Sequence, residues 1–238
     1  MTYRRAHHRA IGQLLTHFDA DFLAANNILF GGGTRIALEL HEFRESVDID
    51  LFCIGRSAYR AARSAITSRS FGPLLLPGHT LALLNDREIR ADRDAIRALL
   101  EGPGHPIKLE IIHFDNEAIK PDPRSQLFPI PCVGKEGCFA TKLTANADRY
   151  MNHSKDILDL CMMRREWGEI PEAAWKIACE EYGEGVILRG LGGALSRVVA
   201  NQHAALEHAT MSLQMEEVLA KELISTQAPE WLGKLGLH

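Results

Sequence analysis

The sequence predicts an α+β fold, because short apolar runs suited to strands alternate with amphipathic stretches over residues 1–133, whereas residues 134–238 carry helical periodicity with few strand signals. A third observation is composition. At 238 residues, 46% hydrophobic and 24% charged, the chain can bury a sizeable core and resembles neither a disordered nor a fibrous protein.

From Ala6 to Asn26, apolar Ile11, Leu14, Leu15, Phe18, Phe22 and Leu23 recur every three or four residues, the stripe of one amphipathic helix. Ile28 to Phe30 is a short strand that ends at Gly31-Gly32-Gly33, where Thr34 is placed to cap a new helix carrying Ile36, Ala37 and Leu40. Arg44 to Ser46 turn into a strand over Val47–Phe52. Tyr59 to Ile66 reads as helix, while the stretch from Leu81 to Leu100 fits neither period. Gly102-Pro103-Gly104 is a break, Ile107–Phe114 a strand, and Pro121 to Pro131 a proline-rich connection. Helices are then expected over Phe139–Tyr150, Lys155–Trp167, Pro171–Tyr182 and Val186 to about Leu223. Gly190, Gly192 and Gly193 suit close helix packing better than a phosphate loop.

A formal charge of −4 gives no global attraction to nucleic acid, so any such partner needs a local basic patch. Two clusters qualify by composition: Arg4, Arg5 and Arg9 with His7 and His8, and Arg56, Arg60, Arg63 and Arg69. Five cysteines without a CxxC pair fit neither a disulfide framework nor a zinc knuckle. Gln13, His17, Asp19 and Asp21 interrupt any signal-peptide core, and nowhere do 18 apolar residues run together. The expectation is a cytoplasmic protein with no membrane partner.

Chemistry is expected at Ser46-Val47-Asp48-Ile49-Asp50-Leu51-Phe52. In a strand, Asp48 and Asp50 share one face while Val47, Ile49 and Leu51 point to the core. Two like charges about 4 Å apart repel by roughly 4 kcal/mol at an effective dielectric near 20, so a cation is called for. Oxygen ligands of this kind suit Mg²⁺ or Mn²⁺. The upstream glycine turn offers backbone N–H groups and a helix N-terminus to a phosphate. Two-metal phosphoryl transfer wants a third carboxylate. Glu110, opposite core-facing Leu109 and Ile111, is the candidate; the competing reading is a surface glutamate on an edge strand. Lys142, Asn146 and Arg149 form a polar stripe at i, i+4 and i+7, in which Lys142 would meet phosphate oxygens. The alternative is a solvated stripe with an Arg149–Asp156 ion pair. Asp156 and Asp159 are neighbours on a helix and are placed to orient Lys142 or Arg149.

Gly32-Gly33-Thr34, then Arg44-Glu45-Ser46-Val47-Asp48-Ile49-Asp50-Leu51, Glu110 in a strand, Phe139-Ala140-Thr141-Lys142-Leu143 with Arg149, and Lys155-Asp156 followed by Asp159-Leu160 together resemble the AbiEii/AbiGii toxin-like nucleotidyltransferases of the DNA polymerase β-type superfamily. The resemblance spans residues 30–160. It implies a polymerase β-like mixed sheet flanked by helices as the catalytic domain, followed by a C-terminal helical region that completes a cleft for a nucleoside triphosphate. It further implies metal at Asp48, Asp50 and Glu110, catalytic work by these residues and Lys142, and nucleotide contacts from Gly32, Gly33, Thr34, Ser46, Lys142, Arg149 and Asp159. An RNA such as tRNA as acceptor and an antitoxin protein as partner are implied as well. Two departures stand out: Arg35 follows the Gly-Gly-Thr where a small residue is common, and Lys155 replaces a common arginine. The alternative function is a catalytically inactive nucleotide-binding sensor or partner-binding subunit. A metal-dependent phosphohydrolase ranks behind both, for want of a His-Asp motif.

Overall fold

A computed structural model describes residues 3–124 and 126–236. Contacts divide the chain into two units, one running through Glu42 and resuming at Ser46–Gly134, the other made of Phe43–Glu45 and the chain from Lys135 onward.

The first unit is a mixed five-stranded sheet flanked by helices, as the family resemblance implies. Its elements are α1 (Ala6–Leu15), α2 (Ala20–Ala25), β1 (Ile28–Gly31), α3 (Gly32–Glu39), β2 (Asp48–Ile54), α4 (Arg56–Ala65), β3 (Arg90–Ala91), β4 (Ala95–Leu100) and β5 (Ile107–Phe114). The strand order is β1-β2-β5-β4-β3, parallel between β2 and β5 and antiparallel elsewhere. Alternation divides the sheet into two faces. Ile49, Leu51 and Cys53 of β2, Leu109 and Ile111 of β5, and Ile96, Ala98 and Leu100 of β4 enter one core with Ile11 and Leu15 of α1 and Ala58, Tyr59 and Ala62 of α4. The other face carries Asp48, Asp50, Lys108, Glu110 and Arg97.

In this unit two expectations need correction and one unassigned stretch is resolved. The stretch expected as one helix from Ala6 to Asn26 is two, because the chain turns after Leu15 to bond Leu74 and Leu76, and Asp19 then caps α2 by accepting from the Phe22 amide at 2.9 Å. Thr34 caps nothing: α3 starts at Gly32, and the Thr34 hydroxyl bonds Ser46 instead. The unassigned stretch before residue 100 holds β3 and β4, whose polar run from Asp92 to Asp94 hides the strand period.

The second unit is helical: α5 (Lys135–Arg149), α6 (Lys155–Trp167), α7 (Glu172–Tyr182), α8 (Glu184–Ala200), α9 (Gln202–Glu207), α10 (Glu217–Glu222) and α11 (Ala228–Leu235). The expected helix from Val186 to Leu223 is interrupted at Asn201 and again beyond Ser212. A wide π turn over Leu223–Gln227 precedes Pro229, which has no N–H to continue the α-helical ladder. None of the described helices is long and apolar enough to cross a membrane.

Helix α8 lies against α5 at its glycines. A Cβ on Gly190 would stand 2.7 Å from the Ala147 Cα, and one on Gly193 would stand 2.4 Å from the Tyr150 ring. Gly185, by contrast, would meet only the flexible end of Arg189, at 3.3 Å. Urea denaturation is therefore expected to show Gly190→Ala destabilising by about 1–3 kcal/mol through overpacking. Gly185→Ala should instead stabilise by up to about 1 kcal/mol through helix propensity.

Candidate active site

A single row of residues crosses the sheet. Gly31 of β1 pairs with Asp50 of β2, Asp50 with Glu110 of β5, and Glu110 with Arg97 of β4. Residues paired across strands project to the same face, so Asp50 and Glu110 stand side by side, with Asp48 one pleat away beside Lys108. Glu110 therefore lies on an interior strand next to the aspartates, not on an edge.

The glycine turn is fitted to this row. Gly32 adopts φ +69°, in the left-handed region, and a Cβ there would stand 1.9 Å from Asp50 Oδ2. Only glycine brings backbone so close to that carboxylate, as a phosphate cradle beside a metal ligand would require. Gly33 continues the first turn of α3.

Thr34 and Ser46 lie behind the turn. Both are buried, and the Thr34 hydroxyl donates to the Ser46 hydroxyl at 2.8 Å. The Ser46 amide donates to His8 Nε2 at 3.1 Å, so the imidazole proton sits on Nδ1, which donates to Glu42 at 2.8 Å. Burial would raise the Glu42 carboxyl, but the amides of Arg4 and Arg5 and the His8 ring outweigh it and hold it below the ordinary carboxylate range. Much of the N-terminal basic cluster is thereby engaged in fixing the approach to β2. Sequence reading placed His8 among patch residues; nothing in its spacing signals a buried strut. Arg35 is fully buried too, and its guanidinium pairs with Glu39 at 2.6 Å and Asp122 at 3.1 Å.

Glu110 is held by two cations, Arg97 at 3.0 Å and Lys108 at 2.5 Å. Among the described residues no group of three or more acidic, histidine or cysteine side chains stands ready to hold a metal ion. The donor set nonetheless fits Mg²⁺ or Mn²⁺ in kind: three carboxylates share one face on adjoining strands, and Gly32 leaves room beside Asp50. Completing it requires Glu110 to leave its cations.

Lys142, Arg149 and Asp159 belong to the helical unit. Lys142 Nζ lies 2.8 Å from Asp156 and 2.7 Å from Asp159, and Asp159 also receives Arg44 at 2.5 and 2.8 Å. Arg149 pairs with Asp156 at 2.5 Å, and its side chain is 49% exposed. The other four side chains are buried, which makes Arg149 the member of this network open to a phosphate. Burial would raise the Asp159 carboxyl, yet Arg44 and Lys142 outweigh it and hold the group low; Lys142 and Arg149 do the same for Asp156. For Lys142 burial pulls the ammonium down, and Asp159 and Asp156 more than restore it. The sequence marks Arg44 as a turn residue at the head of the family motif; its pairing with Asp159 has no local signature. Asn146, also buried, makes no side-chain hydrogen bond among the described residues.

The network should show itself in stability. Depressed carboxylates stabilise the fold above their unfolded pKa of about 4, and that contribution disappears as pH falls toward the folded values. The raised Lys142 stabilises below an unfolded pKa of about 10.4 and loses its contribution as pH rises beyond it. Asp159→Ala leaves Arg44 and Lys142 short of a buried partner and is expected to remove about 3–5 kcal/mol at pH 7. Urea titrations across pH should show this difference shrinking below about pH 4.

Comparison with known proteins identifies the family and the fold. The family model for the nucleotidyl transferase AbiEii toxin of type IV toxin-antitoxin systems matches residues 13–232. Two solved Helicobacter pylori structures share the fold. JHP933 is 18% identical with a TM-score of 0.55, covering 99% of this chain and 95% of its own. The other, described as a candidate nucleotidyltransferase, is 18% identical with a TM-score of 0.56, covering 99% and 98%. No curated protein matches. Matched over nearly all of its length, the chain belongs to the AbiEii toxin family and is a nucleotidyltransferase.

Proposed function

We propose that the chain transfers a nucleoside monophosphate from a nucleoside triphosphate to an acceptor hydroxyl on RNA, with Asp48, Asp50 and Glu110 holding Mg²⁺ or Mn²⁺. The observation that carries this is the row Gly31–Asp50–Glu110, with the backbone of Gly32 packed on the Asp50 carboxylate. The amides opening α3 take the β- and γ-phosphates; within the helical unit, half-exposed Arg149 is the cation available to a phosphate oxygen. Lys142 and Asp159 support Arg149 through Asp156. Thr34 and Ser46 hold the turn against β2. A bound divalent ion would supply charge neutralisation at the reacting phosphate. The acceptor oxygen attacks the α-phosphorus in line, its proton passes to Glu110, and the bond to the bridging oxygen breaks to release pyrophosphate.

The family's type IV setting supports a toxin role with an antitoxin protein as partner. Free cysteines support a cytoplasmic location. One observation favours a second reading, a nucleotide-binding module without turnover: Glu110 is clamped by Arg97 and Lys108.

Incubation with α-labelled nucleoside triphosphates, Mg²⁺ and total RNA is expected to label RNA and release pyrophosphate. Asp48→Asn and Asp50→Asn should each lower the rate by about a thousandfold or more, roughly 4 kcal/mol of barrier, with unchanged circular dichroism. Chelation should have the same effect. Nucleotide binding without transfer to any acceptor would establish the second reading.

A further inference from the structure

The open face of the sheet continues past Glu110 into a basic strip. Arg97 of β4 pairs with Arg90 of β3, extending the row that begins at Gly31 and Asp50 across all five strands. Lys108 lies on the same face, one pleat from Glu110. With Arg87 and Leu99 these residues line a cavity of about 590 Å³ in which Glu88 is the one carboxylate. Arg97 and Lys108 are 48% and 43% exposed while paired with Glu110, and Arg97 also pairs with Asp92 at 2.5 Å, a carboxylate that the strip shares with the neighbouring cavity under α4. Arg87 and Arg90 are exposed and make no ion pair with any described residue. In a chain with a formal charge of −4, four cations on one side of an acidic row do not reflect bulk composition.

We infer that this strip, formed by Arg87, Arg90, Arg97 and Lys108, is the docking surface for the acceptor, and that it binds successive backbone phosphates of a nucleic-acid strand. The inference rests on the transferase reading and adds where its acceptor lies. Strands are about 4.8 Å apart, so Arg90 to Glu110 spans roughly 10 Å, enough for more than one backbone phosphate of a single strand. A strand laid on it ends at Glu110 and Asp50, where its terminal hydroxyl is needed. The strip presents charge and no exposed aromatic ring, so it reads phosphates, not bases. Phosphates that engage Arg97 and Lys108 also draw these cations from Glu110, which frees the third carboxylate when the acceptor arrives.

The competing arginine surface fits less well. Arg56, Arg60 and Arg63 of α4 line a cavity with Asp92, Asp94 and Asp115. Moreover, α4 packs on the core face of the sheet, opposite the aspartates.

Fluorescence anisotropy with a labelled 12-nucleotide single-stranded RNA tests the assignment on the full-length chain. The Arg87→Ala/Arg90→Ala double variant is expected to weaken binding about tenfold at about 0.1 M salt and to flatten the log–log salt slope by about 1 to 2. Arg60→Ala/Arg63→Ala should bind as wild type does, and all three proteins should show the same thermal shift with nucleoside triphosphate and Mg²⁺. Wild-type affinity in the Arg87/Arg90 variant, a loss confined to the Arg60/Arg63 variant, or no RNA binding by the wild type would overturn it. Failure of the transferase reading shows separately, as RNA bound through the strip by a protein that transfers no nucleotide.

Discussion

The parallel pairing of β2 with β5 puts Asp50 beside Glu110, and much of the sheet unit is arranged around keeping two like charges there. A slip of one residue would turn Glu110 into the core and Leu109 onto the open face, so burial of Leu109 and Ile111 fixes the register. Repulsion between the neighbours is met on one side by Arg97 and Lys108. Behind β2, the Glu42–His8–Ser46 chain of hydrogen bonds fixes the residue two positions before Asp48. Gly32 then sets backbone against Asp50 where a side chain would collide.

The helical unit solves a different electrostatic problem. Asp156, Asp159, Lys142 and Arg44 lie in its interior, where isolated charges would be strongly disfavoured, and each is stable only because the others are present. Together they make a fixed scaffold for the half-exposed Arg149. A cation with a long flexible side chain gains orientation from two carboxylate contacts that a solvated arginine lacks.

Much of this was legible in the sequence because it depends on local period. The alternation over Val47–Phe52 and Ile107–Phe114 marks both site strands, with Asp48, Asp50 and Glu110 on their open faces, and the Gly31-Gly32-Gly33 run marks the turn that meets Asp50. The contributions of His8, Arg44 and Arg97 were not legible. All three act through a partner distant in sequence, 38 residues for His8 with Ser46, 115 for Arg44 with Asp159 and 13 for Arg97 with Glu110, and no local pattern encodes such pairings; Lys108 stands two residues from Glu110, on the same strand face, where the period alone places it. Likewise β3 and β4 escaped because charged residues between them mask a strand period, and Thr34 looked like a cap because its partner Ser46 is 12 residues away.

A crystal structure with Mn²⁺ and a nonhydrolysable nucleoside triphosphate is the most direct measurement of whether this row is a metal-assisted transfer centre. The expected result is an anomalous peak about 2.1 Å from oxygens of Asp48 and Asp50, with the triphosphate on the amides of Gly32 and Gly33. Manganese bound elsewhere, with the triphosphate away from the glycine turn, would contradict it.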